Sequence, residues 1–181
     1  MINSKDIESI YNLYVEDLFT YAIYLGLDRD QAMDAIHDIF CKLADEKNPT
    51  DTIKNMKFYL FASLKNRIYD LYRTRRQYID IHTVEESQEE PFDIHVNMED
   101  ILIEKEEQAL VKHQIEEMLH SLTSRQREII YLRYVQEYEY TEIAELLNIS
   151  IHGCRKLVSK AIQSLREKYG SLTLLFFLSI M

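Results

Sequence analysis

Three glycines, two prolines and no tryptophan are spread over 181 residues, and cysteine occurs only at positions 41 and 154. So little glycine and proline excludes a protein built from many tight hairpins, which draw on these residues for their turns. Cys41 and Cys154 lie far apart, each among apolar residues at helical spacing. They read as reduced packing residues rather than a disulfide or a metal pair, a usage that suits the cytoplasm. Long hydrophobic runs are absent too. The most apolar stretch, "LTLLFFLSIM" at Leu172–Met181, would make a helix about 15 Å long against a hydrocarbon core of about 30 Å. The opening residues mix Lys5, Asp6 and Glu8 into their apolar positions and do not read as a signal peptide. Histidines at 37, 82, 95, 113, 120 and 152 show no ligand spacing, and no glycine-rich phosphate loop or nucleophile motif occurs. No metal, cofactor or catalytic residue is therefore expected, and the chain does not read as an enzyme. What is abundant is leucine, isoleucine, glutamate and lysine in periods of three and four. The fold class is all-α.

The formal charge of -10 is unevenly placed. Residues 1–79 hold 11 basic and 12 acidic side chains, residues 80–107 hold 1 and 11, and residues 108–181 hold 9 and 8. Nearly all the net acidity sits in the middle, around Pro91 and a glutamate-rich run with no helical period before about Met98. This composition marks a flexible acidic linker at 78–98. Two small helical domains follow, 1–77 and 99–170, with an apolar tail at 171–181. The linker is either a solvated spacer or an acidic competitor with nucleic acid for the basic surfaces. The tail packs as an extra helix or serves as a docking strip.

In the first domain Ser4–Leu25 has helical apolar spacing, closed by Gly26 in a left-handed cap. Asp28 with Gln31 marks the start of a second helix reaching about Ala44, with Ala32, Ile36, Ile39, Phe40 and Leu43 inward. Lys54–Arg76 then changes character: seven basic residues (Lys54, Lys57, Lys65, Arg67, Arg73, Arg75 and Arg76) stand against one acid, Asp70, interleaved with Phe58, Tyr59, Phe61, Tyr69 and Tyr72. Cations neutralise phosphates and exposed rings stack on unpaired bases, a pairing that suits single-stranded DNA. Phe61 and Tyr69 read as core, beside Leu64, Ile68 and Leu71. Tyr59 and Tyr72 are open between core and base stacking.

The second domain begins with a helix over Leu102–Leu122, broken at "LTSRQ", where Thr123 and Gln126 fit a capping box. The next helix, Ser124 to about Gln136, buries Ile129, Ile130 and either Leu132 or Tyr134. Then comes a short helix with Ile143, Ala144 and Leu147 inward, a turn at Asn148–Ile149–Ser150 with Ser150 as N-cap, and a basic helix. There Cys154, Val158, Ala161 and Leu165 recur on the buried side, while His152, Arg155, Lys156 and Ser159 share another face, with Lys160 beside them. Helix, turn and basic helix form a helix-turn-helix, which can present that face to a major groove.

Both halves resemble the bacterial sigma factors of the extracytoplasmic-function (ECF) type. "AMDAIHDIF", Ala32–Phe40, is similar to the family's segment that grips the coiled coil of the polymerase β′ subunit. "FYLFASLKNRIYDLYR", Phe58–Arg73, is similar to its promoter-melting segment, with Tyr59 where tryptophan is common and Asn66, Asp70 and Arg73 in place. "LTSRQREIIYLRYVQEYEYTEIAELLNIS" resembles the start of the fourth sigma region. The resemblance implies a transcription initiation factor with no cofactor, binding the β′ and β subunits of core RNA polymerase and promoter DNA. It also implies an anti-sigma partner of a membrane-bound kind. It assigns polymerase contact to Asp34, His37, Asp38 and Phe40. The minus-10 strand falls to Tyr59, Lys65, Asn66, Arg67, Tyr72, Arg73, Arg75 and Arg76. The minus-35 duplex falls to Ser150, His152, Arg155, Lys156, Ser159 and Lys160. Departures from the pattern are His37 for the usual glutamine, Met33 for glutamate, Gly153 for threonine, Cys154 for valine and Leu157 for arginine. Two other readings of the residues are a helix-turn-helix regulator that acts without polymerase and an acidic helical adaptor that binds no DNA.

Overall fold

The computed structural model describes residues 4–45, 53–78, 92–93 and 105–170, with side chains described over 7–45, 53–74, 92–93 and 113–170. The chain divides into two compact units, Met1–Gln88 and Glu89–Met181. Among the described residues all regular structure is helical, as the composition requires. None of their helices is long and apolar enough to cross a membrane.

Among its described residues the first unit packs α1 (Ser4–Tyr24), α2 (Arg29–Asp45) and α3 (Met56–Tyr78) against one another. Gly26 ends α1 with φ 88°, a left-handed geometry that costs glycine little. Two residues on, the Asp28 carboxylate accepts the Gln31 N–H at 2.9 Å and starts α2. The Asn55 side-chain oxygen does the same for α3 through the Phe58 N–H at 3.0 Å. Leu18 and Tyr21 of α1, Leu25 just beyond it, Ile36, Ile39 and Leu43 of α2, and Leu60, Phe61, Leu64 and Ile68 of α3 are all buried. The rings of Tyr21 and Phe61 lie 5.1 Å apart at the centre. Each such side chain contributes about 1.5–3 kcal/mol on burial, offset by conformational entropy.

The second unit holds α4 (Lys105–His120), α5 (Ser124–Ile130), a π turn (Tyr131–Val135), α6 (Tyr140–Leu146) and α7 (Ile151–Tyr169). The expected capping box at Thr123 and Gln126 forms, each side chain bonding the other's backbone N–H. Beyond it Leu132 rather than Tyr134 goes inward, beside Tyr131, Ile129 and Ile130. The π turn closes with the Gln136 N–H on the Tyr131 carbonyl at 3.0 Å. Glu137 then reverses the chain at φ 58°, and the Arg133 guanidinium holds the reversal by donating to the Tyr138 carbonyl at 2.8 Å.

Two expectations need correction. Cys154 is buried, but Cys41 is exposed; its position on α2 turns it away from the Ala32–Ile36–Ile39–Leu43 stripe. The span assigned to a flexible linker is also not free throughout, because Phe92 is only 1% exposed. Its ring centre lies 5.8 Å from that of Tyr131, and its carbonyl accepts the Arg127 Nε–H at 2.7 Å. A single apolar ring in an acidic run has more to gain from burial than from water. Apart from Tyr78, Phe92 and Asp93, the span 78–98 lies outside the described residues, as does the tail at 171–181.

Candidate nucleic-acid interface

Arginines set the frame of the second unit. Arg125 donates to the Leu147 carbonyl at the end of α6 at 2.6 Å and pairs at 3.2 Å with Glu128, whose residue exposure is 2%. This pins α5 against the turn that launches α7. Two residues along, Arg127 faces elsewhere and donates to the Leu122 carbonyl at 2.8 Å, to Leu119 at 3.4 Å and to Phe92. It thereby ties together carbonyls at and just beyond the C-terminal end of α4, of which Leu119 also accepts the Leu122 N–H at 3.0 Å. Charge at positions 125 and 127 is therefore structural.

The turn before α7 places Asn148 at φ 51°, and the Ser150 hydroxyl accepts the Gly153 N–H at 3.0 Å. Cys154, Val158, Ala161 and Leu165 then line the buried side of α7. His152, Arg155, Lys156, Ser159 and Lys160 are exposed on the remaining surface. Ser150 is exposed too, with its oxygen already engaged as a cap. Sequence reasoning missed two neighbours of this face. The Arg133 and Arg155 guanidinium carbons lie 5.0 and 5.7 Å from the ring centre of Tyr140, so one ring gathers two cations. The signal would have been the π turn, which redirects Arg133 and is invisible to helical periodicity.

Burial pushes the Cys154 thiol up from its ordinary value, with Arg133 and Arg155 pulling the other way. It stays a neutral packing group. Tyr134 is also raised, first by burial and then by Tyr140, against Arg133.

On α3 the proposed strand contacts divide. Asn66 and Arg73 are exposed and Tyr59 is half-buried. Arg73 pairs with Asp70 one turn back at 2.9 Å. Lys65, however, is 1% exposed, its ammonium 4.9 Å from the ring centre of Tyr69 and 6.0 Å from that of Tyr21. It follows Phe61 by four residues and precedes Ile68 by three, which places it on the core stripe. Its side chain is therefore enclosed rather than offered to phosphate. Tyr72 is likewise engaged, its hydroxyl donating at 2.7 Å to the Leu25 carbonyl at the end of α1. Arg67 pairs with Asp38 of α2 at 2.6 Å. The side chains of Arg75 and Arg76 lie outside the described residues.

On α2, Asp34 and His37 are exposed while Asp38 is held by Arg67. Phe40 is 6% exposed and meets Tyr11 edge to face at 5.0 Å. It supports α2 from within rather than forming part of its outer surface. No group of three or more metal-ligating side chains occurs among the described residues.

Residues 112–165 match the family model "Sigma-70, region 4". The chain is similar to the ECF RNA polymerase sigma factor SigX of Bacillus subtilis (strain 168), 24% identical, covering 88% of this chain and 84% of SigX. SigM of the same organism, also an ECF RNA polymerase sigma factor, is 22% identical over 91% of this chain and 95% of its own. Among solved structures, the sigma factor RpoE from Bartonella quintana, crystallised with the anti-sigma factor NepR, matches with a TM-score of 0.61 at 26% identity. That match covers 90% of this chain and 96% of RpoE.

Proposed function

We propose that this chain, a sigma factor of the ECF type, binds core RNA polymerase and directs it to specific promoters. The observation that carries the reading is the exposed basic face of α7, which stands on a helix-turn-helix inside the segment that resembles sigma region 4. His152, Arg155, Lys156, Ser159 and Lys160 would meet the minus-35 duplex in the major groove, with Ser150 holding the helix start in place. Arg133 and Tyr140 border this face through Arg155.

In the first unit, α2 would offer Asp34 and His37 to the β′ subunit. On α3, Tyr59, Asn66 and Arg73 are the groups best placed to receive the opened minus-10 strand; Lys65 and Tyr72 position that helix. No covalent step is involved. Melting would draw on stacking of unpaired bases, about 1–3 kcal/mol each, and on polymerase contacts. The Asp38–Arg67 pair joins the polymerase-facing helix to the strand-facing one, so binding at one surface steadies the other.

The two ends of the chain carry little net charge, with nearly all the acid between them, so each makes a weak DNA contact alone. Specificity would arise when polymerase holds both. The likeness to a sigma factor solved with its anti-sigma factor supports a regulator of that kind as a further partner, and the reading places the protein in the cytoplasm. Run-off transcription with cognate core enzyme tests the function: promoter-dependent transcripts are expected, and their absence with every cognate core preparation would overturn it.

A further inference from the structure

The second unit holds a residue pair from the acidic connection. Phe92 is among the largest fully buried side chains of the described chain. Three elements receive it: the Tyr131 ring stands beside its ring, Arg127 binds its carbonyl, and Asp93 meets the His120 Nε2 at 3.0 Å. The other nitrogen of that imidazole, Nδ1, lies 2.7 Å from the Glu116 carbonyl, which fixes the ring between helix and clip. Arg127 also binds the Leu119 and Leu122 carbonyls, so the group that grips Phe92 is itself fixed by the α4–α5 corner. Apolar side chain, main chain and carboxylate are each matched by a different partner.

We infer that Phe92 and Asp93 form a clip that shortens the connection between the two DNA-contacting units and thereby narrows the spacing of promoter elements the protein accepts. The spacing half of this inference rests on the function proposed above; the clip itself does not. Position 92 lies 14 residues beyond the end of α3 and position 105, where α4 begins, lies 27 beyond it. At roughly 3.5 Å per residue the connection can reach about 95 Å without the clip and about 50 Å with it. Doubling a tether lowers the effective concentration of one unit at the other's site by about threefold, from its inverse three-halves dependence on length. Opening the clip thus weakens the coupling between the two contacts and permits longer separations.

The experiment uses the full chain labelled at two cysteines, the exposed Cys41 and Gln163→Cys on the exposed side of α7, while buried Cys154 stays unmodified in the folded state. Single-molecule energy transfer reports the distribution of distances between labels. Phe92→Ala should move its upper edge outward, by no more than about 45 Å, the difference between the two reaches. Asp93→Lys, a change at a half-exposed side chain, should move it the same way by less. An unchanged distribution in a Phe92→Ala protein whose Cys154 is still protected overturns the clip. If Phe92→Ala unfolds the second unit, an unchanged Asp93→Lys distribution overturns it instead. Run-off transcription from templates of stepped spacing completes the test. Phe92→Ala should flatten the spacing preference by about threefold, and an identical preference overturns the specificity role. A wild-type protein that starts no transcript defeats the proposed function and leaves the distance result standing.

Discussion

Replacing Lys65 by methionine and by alanine separates a core lysine from a DNA-binding one. The residue is 1% exposed. Alanine removes three buried methylenes, worth about 2.4 kcal/mol at about 0.8 each, before any cavity term. It also loses cation–π attraction to Tyr69 and Tyr21, about 0.5–2 kcal/mol, and is relieved of the cost of enclosing an ammonium. A net loss of about 2–3 kcal/mol follows, or roughly 10–20 °C in the first unit's melting temperature. Methionine keeps most of the volume and should stay within about 1 kcal/mol of wild type. A fluorophore on exposed Cys41 of α2 follows that unit's melting. Binding of the holoenzyme to an opened minus-10 strand, titrated with salt, supplies the second readout. Losing a phosphate contact lowers the salt slope by about 0.7 on a single strand. Lys65→Met should leave the slope unchanged, whereas Arg73→Met, at an exposed site, should lower it. A stable Lys65→Met protein whose slope falls as far as that of Arg73→Met would refute the core assignment.

The two thiols should differ in the native state: a disulfide-exchange reagent reacts with Cys41 at once and with Cys154 only as the second unit opens, and two immediate equivalents would contradict the packing of α7. Stability should fall from about pH 9 upward. Cys154 and Tyr134 have folded values raised above their ordinary 9.0 and 10.0, so the unfolded chain loses protons first and stability present below pH 9 is lost as pH rises. Urea midpoints at pH 8, 9.5 and 10.5 measure this loss, and Cys154→Val should reduce it. Arg125→Met should cost the second unit about 3 kcal/mol by leaving the Glu128 carboxylate buried without that arginine; Cys154 reactivity in urea reports it, with the first unit's melting unchanged. Gly153→Ala should raise second-unit stability by about 0.5–1 kcal/mol, since an added Cβ meets only the Ser150 Oγ, at 3.2 Å. Absence of a gain in thermal melting would show that the capping oxygen cannot yield.

Caps and apolar stripes were the legible part of this chain. Asp28, Thr123 and Ser150 each begin the helix their spacing implies, and the inward stripe of α7 is the one its period predicts. These signals are local, reaching three or four residues along the chain. The site was less legible because charge alone does not say where a cation goes. Lys65 reads like Arg73 in composition, yet its place between Phe61 and Ile68 carries it into the core. Tyr72 bonds a carbonyl 47 residues away, which no local pattern encodes. The π turn shifts the phase of the chain after Tyr131, so helical counting lost Arg133. Phe92 was hidden by its acidic neighbours: average composition described the segment and one ring departed from it.

The hold of Arg127 on Phe92 has a consequence for synthesis. The partners lie 35 residues apart, so Phe92 leaves the ribosome well before the side chain that grips it. At about 5–20 residues per second the delay is roughly 2–7 s. The described helices of the first unit end at Tyr78 and can pack during that interval. Translation of the α4–α5 corner is thus the event that allows Phe92 to be gripped, and the helices of the first unit can be in place before it.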